Sequence, residues 1–280
     1  MTRSAAVVNL DKHPCYSPSA HFRYGRMHLP VAPDCNLGCN YCEREIGGKT
    51  YHSYRPAVAD RVLTPEEALR RLDQYLAHDA SLAVVGIAGP GEPLCQPSTF
   101  ETLQLVSARY PALMLCVSTN GLLLRERAEH LWDLGVRTLT VTMNTVDPTI
   151  GERIYAYVEH GGKRLTGLEG AKALLESQLA GLEKAAALGF AIKVNSILLP
   201  GLNDGGHLEK VAGVVSRLGA HIQNITPLIP LGRFRHLAPP SCHELRETRL
   251  QCERIIKQFR LCRQCPADAV GIPGEEHPPT

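Results

Sequence analysis

The stretch CNLGCNYC, from Cys35 to Cys42, carries three cysteines in the spacing C-x3-C-x2-C and has no fourth cysteine close by. Structural zinc sites and ordinary iron–sulfur clusters take four protein ligands. Three thiolates can instead bind three irons of a cubane [4Fe–4S] cluster and leave the fourth iron open to a chelating molecule. The stretch follows an apolar run, Arg26–Val31, which predicts a strand that delivers the cysteines to one end of a sheet.

The composition indicates a globular protein that keeps its thiols reduced. The chain has 280 residues, 44% of them hydrophobic, and a net charge of +2, so one large domain is expected. The sequence has no basic stripe with interleaved aromatics, no apolar run as long as a membrane span and no signal-peptide pattern at its start. We therefore predict a cytoplasmic protein without nucleic-acid or membrane partners, in which ten cysteines indicate metal binding rather than disulfides.

Apolar runs and helical patterns alternate along most of the chain. The alternation predicts an α/β fold with a parallel sheet, and six strands predict a partial (β/α)6 barrel, two strands short of a TIM barrel. Such a barrel leaves a lateral opening that suits a large substrate. The predicted strands are Arg26–Val31, Leu82–Ala88, Leu113–Ser118, Thr138–Met143, Ala191–Leu198 and His221–Thr226. The predicted helices between them are Pro65–Ala77, Ser98–Arg109, Arg125–Leu134, Leu168–Leu188 and Gly206–Leu218.

Two segments flank the predicted barrel, which spans residues 26–227. Residues 1–25 form a proline-containing lead-in, and residues 228–280 form a tail with a loop, a helix over 242–259 and a terminal cysteine pair. No linker or composition change between these parts predicts a second globular domain.

Seven cysteines lie outside the three-cysteine stretch. Cys262 and Cys265 form a C-x2-C pair, which commonly binds one cluster or metal, and Cys15 in its proline-bounded turn is a candidate third ligand. Strand alternation makes Cys116 a core residue by default, and His28 within a strand is more often a core residue than a ligand. The remaining cysteines, interpreted as packing or surface residues, are Cys95, Cys242 and Cys252.

Polar residues and glycines follow the predicted strands at one end of the sheet. In parallel α/β folds the carboxyl ends of the strands build the active site, and the three-cysteine stretch falls on that same face. We therefore expect these residues to line a cofactor site. They are Gly89, Gly91 and Glu92 after the second strand, Ser118 and Asn120 at the third, Thr142 and Asn144 at the fourth, and Asn195 and Ile197 at the fifth.

The cysteine stretch and the segment AGPGEP, Ala88–Pro93, together resemble the signature of the radical SAM superfamily. An aromatic residue, Tyr41, precedes the last cysteine, and glycines after the second strand permit close backbone approach to a ligand. The resemblance implies that Cys35, Cys39 and Cys42 hold a catalytic [4Fe–4S] cluster, whose open iron binds S-adenosylmethionine (SAM) and cleaves it to a radical. It also implies that Tyr41 packs on the adenine and that the glycine-rich segment meets the methionine ammonium. For the cysteines alone, the alternative is a zinc knuckle or a ferredoxin-like loop with a distant fourth ligand.

Motifs at both ends of the chain resemble the NifB family of nitrogenase cofactor maturases. The resemblance begins at HPCYSPSAH (His13–His21) and ends at CRQCPADAVG (Cys262–Gly271), and neither motif is general to the superfamily. Between them lie RMHLPVAPDCNLGCNYC, GIAGPGEPL, LCVSTNG, VTMNTVDPTIGERIY and KVNSILLPGLND. Many members carry a cofactor-carrier domain after the barrel, and this sequence resembles the stand-alone form.

The family resemblance implies a function and two further metal sites. Members fuse two precursor [4Fe–4S] clusters, with an added sulfur and a SAM-derived carbide, into the precursor of the nitrogenase cofactor. Carried over, Cys15, Cys262 and Cys265 bind the precursor cluster that receives a methyl group from SAM. His28 and Cys116 bind the other precursor cluster, which makes three clusters in all. The implied partners are cluster donors, a reductant such as a ferredoxin, and carrier or scaffold proteins of nitrogenase assembly.

One stretch, CEREIGGKTYHSYRP after the third cysteine, departs from the family pattern because it lacks an additional cysteine and an acidic approach. Glu43, Glu45 or His52 can substitute as a ligand, and the spacing selects none of them. The departure leaves two other functions open: a radical SAM enzyme with auxiliary clusters and another substrate, such as a peptide, or a non-catalytic iron–sulfur carrier. The motifs at both chain ends argue against the first, and the retained SAM-binding segments argue against the second.

Overall fold

The computed structural model describes residues 9–47 and 54–275, which form helices and strands in alternation. The helices are α1 Pro18–His21, α2 Pro65–Leu76, α3 Pro97–Arg109, α4 Leu124–Asp133, α5 Pro148–Ile154, α6 Gly167–Leu188, α7 His207–Arg217 and α8 Cys242–Glu253. The strands are β1 Gly25–His28, β2 Leu37–Cys39, β3 Glu45–Ile46, β4 Val58–Ala59, β5 Leu82–Ile87, β6 Met114–Thr119, β7 Val136–Thr142, β8 Tyr155–His160, β9 Lys163–Leu165, β10 Ala191–Leu198, β11 Ile222–Pro227 and β12 Val270–Gly271.

The main sheet has seven strands in the order β11–β10–β7–β6–β5–β1–β12. The first six of these are parallel and are joined through helices, so the predicted α/β partial barrel is confirmed. β1 ends at His28 rather than at Val31, because Pro30 has no N–H to pair and the N–H of Val31 turns back to the carbonyl of Leu29 at 3.0 Å.

The helices bury one face each against the sheet. Leu72 on α2, Leu131 on α4 and Val215 on α7 are fully buried in the main core, and each such side chain stabilises the fold by roughly 1.5–3 kcal/mol. α2 begins where the sequence predicts, because the Thr64 hydroxyl accepts from the N–H of Glu67 and the Glu67 carboxylate accepts from the N–H of Thr64. No described helix has both the length and the apolar character needed to cross a bilayer.

The tail covers both edges of the main sheet. Next to β11, the N–H of Gln223 donates to the carbonyl of Lys257 at 2.9 Å, and the N–H of Phe259 donates to the carbonyl of Gln223 at 2.7 Å. At the other edge β12 pairs antiparallel with β1. The prediction of one helix over 242–259 is therefore wrong at its end: α8 stops at Glu253, because the following residues run along β11 and satisfy its free edge.

The lead-in enters the barrel through Tyr16. The hydroxyl of Tyr16 donates to the carbonyls of Leu139 on β7 and Ala191 on β10, the latter at 3.2 Å, and the ring packs with Phe259 of the tail. Since Tyr16 follows Cys15 directly, these contacts place Cys15 against the inside of the sheet. Lead-in and tail thus meet at the barrel although they lie at opposite ends of the chain.

Candidate functional site

A second sheet holds the three-cysteine stretch. The middle of the stretch forms β2, which pairs antiparallel with β8, and β8 forms a hairpin with β9. The N–H of Asn40 extends the pairing by donating to the carbonyl of Ile154 at 2.9 Å. Gly38 lies against the ring of Tyr157, where an added Cβ would be 2.3 Å from Cε1. The sequence analysis missed this support, although YVEHGGKRL has the alternation and the glycine pair of a hairpin.

The thiols of Cys35, Cys39 and Cys42 lie close enough for the charge of one to act on the others. Burial raises the pKa of Cys35 to about 12, and it raises the pKa of Cys39 and Cys42 above the ordinary value. Within residues 9–47 and 54–275, no three ligating side chains converge on one point as they would around a single metal ion. A cubane cluster binds each thiolate through a different iron, so three neighbouring but separate thiols fit a [4Fe–4S] cluster better than zinc.

The glycine-rich segment packs directly on the residues that precede the first cysteine. The N–H of Gly91 donates to the carbonyl of Ala32 at 2.6 Å, and the N–H of Glu92 donates to the carbonyl of Asp34 at 2.7 Å. A Cβ on Gly91 would lie 2.0 Å from the Asp34 oxygen. Gly91 is therefore required by close backbone packing, which positions the segment beside Cys35.

The Glu92 carboxylate is buried and joins the ends of two strands. It accepts from the Thr119 hydroxyl at 2.6 Å, from the N–H of Asn120 at 2.7 Å and from the N–H of Leu94 at 3.0 Å. Burial raises the pKa of Glu92 to about 7, against these three hydrogen bonds, which lower it. Because the Glu92 carboxylate already accepts three hydrogen bonds within the protein, the backbone carbonyls of this segment are the better acceptors for the ammonium group of a ligand.

Asn144, fully buried after β7, connects three parts of the site. Its side-chain amide donates to the hydroxyls of Tyr41 at 3.0 Å and Tyr155 at 3.2 Å, and its oxygen accepts from the N–H of Ile197 at 2.8 Å. Tyr41 and Ile197 also line a small pocket beside Cys42. Three residues predicted from separate strands and the cysteine stretch thus lie together.

The remaining predicted cofactor residues occupy the same end of the sheet. The side-chain amide of Asn120 donates to Asn36, between the first two cysteines, at 2.7 Å. Asn195 accepts from the side chain of Asn224 on β11 at 2.9 Å. Gln178 on α6 donates to the carbonyls of Asn120 and Thr142, at 2.8 and 2.9 Å. Gly89 lies in the packed segment, and Ser118 is half-buried near the end of β6.

Cys15, Cys262 and Cys265 form a second group, inside the barrel. The charges of Cys265 and Cys262 both act on the thiol of Cys15, whose pKa burial raises to about 12. The guanidinium of Arg26 donates to the sulfur of Cys265 at 3.2 Å and to the carbonyl of Gly271 at 2.7 Å. The structure therefore brings together three cysteines that the sequence grouped only by motif.

His28 and Cys116 lie in one row across three neighbouring strands, with Gly86 between them. Because Gly86 has no side chain, the His28 ring can lie over it, and a Cβ there would be only 3.1 Å from that ring. The Nδ1–H of His28 donates to the carbonyl of Pro266 at 2.9 Å, so the lone pair of the neutral ring lies on Nε2, the nitrogen that could bind a metal. Burial lowers the pKa of His28 to about 4 and raises the pKa of the Cys116 thiol. His28 is therefore neutral, as a metal ligand must be.

Two buried cations near these groups were missed by the sequence analysis. Arg26 is 1% exposed and Lys193 is 4% exposed, and both point to the inside of the sheet beside the second cysteine group. The signal was present in the sequence, since each is a charged residue within a run otherwise predicted as a buried strand.

The divergent stretch offers no clear replacement ligand among its described residues. Glu45 is paired with Arg55 at 3.0 Å, and Glu43 is exposed, with its carboxylate 3.4 Å from the N–H of Gly232. His52 lies outside the described residues.

Comparison with solved structures shows the fold. A radical SAM methyltransferase from Sphaerobacter thermophilus superposes with a TM-score of 0.56 and 17% identity, over 85% of this chain and 64% of its own. Streptococcus suis SuiB gives a TM-score of 0.59 and 12% identity, over 84% of this chain and 49% of its own.

Comparison with known sequences shows the family. The model of the radical SAM superfamily matches residues 29–212. FeMo cofactor biosynthesis protein NifB of Methanocaldococcus jannaschii is 45% identical over 97% of this chain and 89% of its own length. The protein of the same name from Klebsiella pneumoniae is 43% identical over 94% of this chain and 57% of its own length. The chain therefore belongs to the radical SAM superfamily and, within it, to the NifB family.

Proposed function

We propose that this protein is the enzyme that makes the precursor of the nitrogenase cofactor by fusing two [4Fe–4S] clusters around a carbon taken from SAM, with one added sulfur. The observation that carries the proposal is the placement of Cys15, Cys262 and Cys265 in one region inside the barrel, beside the row of His28 and Cys116. An ordinary radical SAM enzyme needs only the three-cysteine stretch.

Cys35, Cys39 and Cys42 would hold the resident cluster, and SAM would bind beside it. When bound, the cluster and SAM together supply a carbon-centred radical and a methyl group. Tyr41, Asn144 and Ile197 would form the wall of the SAM pocket, and the carbonyls of the packed segment around Gly91 would receive the ammonium of SAM. Glu92 keeps that segment in place by accepting three hydrogen bonds.

The two substrate clusters would occupy the interior of the barrel. Cys15, Cys262 and Cys265 would hold the cluster that receives the methyl group, and His28 and Cys116 would hold the other. A neutral imidazole binds iron more weakly than a thiolate does, so the second cluster would leave its site more readily during fusion. A reductant such as a ferredoxin would supply electrons, and a carrier or scaffold protein would accept the product.

The first experiment is the count of iron and acid-labile sulfide per chain after anaerobic reconstitution, followed by an assay of SAM cleavage. The proposal expects about twelve irons, because it requires three four-iron sites. About four irons would leave an ordinary radical SAM enzyme as the better account. Clusters without SAM cleavage would instead indicate a carrier. Methyl transfer to a cluster sulfide, followed with labelled SAM, then tests the chemistry directly.

A further inference from the structure

Lys193 is a buried ammonium at the inner face of β10. Its Nζ donates to the carbonyl of Cys15 at 3.3 Å and lies over the rings of Tyr16 at 5.3 Å and Phe259 at 5.6 Å. None of the ion pairs between described residues includes it. A buried charge without an opposite charge is unfavourable, and carbonyl and ring contacts compensate for it only in part.

Near Lys193, the buried Nε2 of His13 has no hydrogen-bond partner among the described residues. The N–H of Cys15 donates to Nδ1 of His13 at 3.2 Å, so the proton of the neutral ring lies on Nε2. That Nε2 is buried, and no described residue accepts from it. His13 lies close enough to Lys193 and His28 for their charges to act on it. Among the described residues, the buried ammonium of Lys193 has no anionic partner and the buried Nε2–H of His13 has no acceptor. Together they indicate an anion that the polypeptide itself does not supply.

Lys193 lies between the two groups of interior residues. Its Nζ contacts the backbone carbonyl of Cys15 at 3.3 Å. Across the sheet it lies opposite Thr140 on β7, which lies opposite Ser118 on β6, two residues beyond Cys116. Burial is the largest influence on the pKa of Cys15 and of Cys116 and raises both, and the positive charge of Lys193 opposes it at each thiol. An iron–sulfur cluster bound by thiolates carries net negative charge, so a cluster at either place would supply the missing anion.

We propose that Lys193 is a positioning residue whose ammonium pairs with both anionic precursor clusters and holds them side by side inside the barrel. This inference rests on the proposed function, since it requires clusters at both interior sites. It predicts effects of opposite sign in the two states of the protein: the charge destabilises the cluster-free chain and stabilises the loaded one.

The test compares Lys193→Met, which keeps the length of the side chain, with Lys193→Arg, which keeps the charge. Lys184→Met is the matched control, because Lys184 is a half-exposed lysine on α6 paired with Glu129. Three quantities are measured on the full chain: the Tm before loading, iron per chain after reconstitution, and the midpoint potentials of the bound clusters by EPR-monitored titration.

We expect Lys193→Met to raise the Tm of the cluster-free chain by roughly 2–4 °C. After reconstitution it should lose at least one interior cluster, about four irons, and any retained interior cluster should have a more negative potential. Lys193→Arg should stay close to wild type in iron content. The resident cluster should be unchanged in all variants.

The proposal is overturned if Lys193→Met binds as much iron as Lys184→Met at unchanged potentials, or if its cluster-free Tm falls. If wild type itself binds only about four irons, the proposed function and this inference both fail. If wild type binds about twelve irons and the variant binds as many at unchanged potentials, only the role of Lys193 fails.

Discussion

The two groups of cysteines in this chain are assembled in opposite ways. Cys35, Cys39 and Cys42 lie within one short stretch, and one strand pairing, β2 with β8, fixes the backbone in the middle of that stretch. Cys15 and Cys265 come from opposite ends of the chain. They meet only because Tyr16 bonds to two strands and the tail covers both sheet edges.

Of the two groups, only the second depends on the whole fold. Bringing distant residues together costs conformational entropy that only long-range packing offsets, whereas neighbouring residues need little. We therefore expect the first group, the loop cysteines, to bind its cluster independently of the second group, the interior cysteines. Clusters bound by the interior cysteines should stabilise the folded state strongly, because their ligands do not meet in the unfolded chain.

Substituting the cysteines of one group at a time should give the largest effects, because each group should lose only its own cluster. Cys39→Ala should abolish SAM cleavage and lose about four irons while the interior clusters remain. The double variant Cys262→Ala/Cys265→Ala should lose about four irons and methyl transfer but still cleave SAM. Iron content and SAM cleavage are measured after reconstitution, with Cys242→Ser, an exposed cysteine on α8, as the control. Methyl transfer by the double variant would show that the tail is assigned wrongly.

Gly91→Ala should weaken SAM binding near the loop cysteines without changing the iron bound by the interior cysteines. The added Cβ would lie 2.0 Å from the Asp34 oxygen, which costs about 1–3 kcal/mol of stability and should weaken SAM binding about tenfold or more. Calorimetry with SAM and urea unfolding measure both. Gly213→Ala is the control, because its Cβ would meet only Arg217, at 3.5 Å. Loss of interior iron in Gly91→Ala would contradict the independence of the two groups.

Asn144→Leu tests whether the SAM pocket is held by one buried amide. It removes hydrogen bonds to Tyr41, Tyr155 and Ile197, so stability should fall by about 1–3 kcal/mol and the KM for SAM should rise. Thr248→Ala, which removes an exposed hydroxyl bond on α8, controls for hydrogen-bond loss in general. An unchanged KM would mean that the pocket is shaped by other contacts.

Glu92→Gln should change how stability depends on pH. The folded-state pKa of Glu92 is about 7, above the ordinary 4.5, so the folded chain binds a proton more tightly than the unfolded one. The contribution of Glu92 to the free energy of unfolding is therefore fully present below pH 4.5. It is lost as the pH rises to 7, which lowers the free energy of unfolding by roughly 1–3 kcal/mol. His28, with its lowered pKa, contributes the opposite slope. The measurement is therefore the difference between the urea-unfolding curves of variant and wild type, and a constant difference from pH 4.5 to 7 would refute the assignment.

Tyr16→Phe should give the smallest effect, and this effect should be on the iron bound by the interior cysteines. The variant loses hydroxyl bonds to the carbonyls of Leu139 and Ala191, which costs about 1 kcal/mol and loosens the position of Cys15. Iron bound by the interior cysteines should fall or exchange faster, while SAM cleavage stays normal. Tyr24→Phe is the control, since Tyr24 contacts the Lys12 ammonium through its ring, which phenylalanine keeps. A loss of SAM cleavage instead would mean that the two groups are coupled.

Sequence reasoning located the barrel strands within three residues at each end but missed the sheet of β2, β8 and β9. The barrel strands are apolar runs between helices, a pattern that burial on both faces imposes. β8 and β9 are half-exposed and alternate weakly. The tail helix was predicted too long for a related reason: residues 257–259 are extended only because the edge of β11 is there to pair with.

The barrel class, the three-cysteine stretch and the family can be read from the chain, because each depends on the spacing of residues near one another in it. Which atoms lie together inside the barrel follows from strand pairing between distant parts of the chain. His28, Gly86 and Cys116 form one row because three strands pair in a particular register. Lys193 lies beside Cys15 and two strands from Cys116 for the same reason, since register and edge pairing join residues that no local pattern connects.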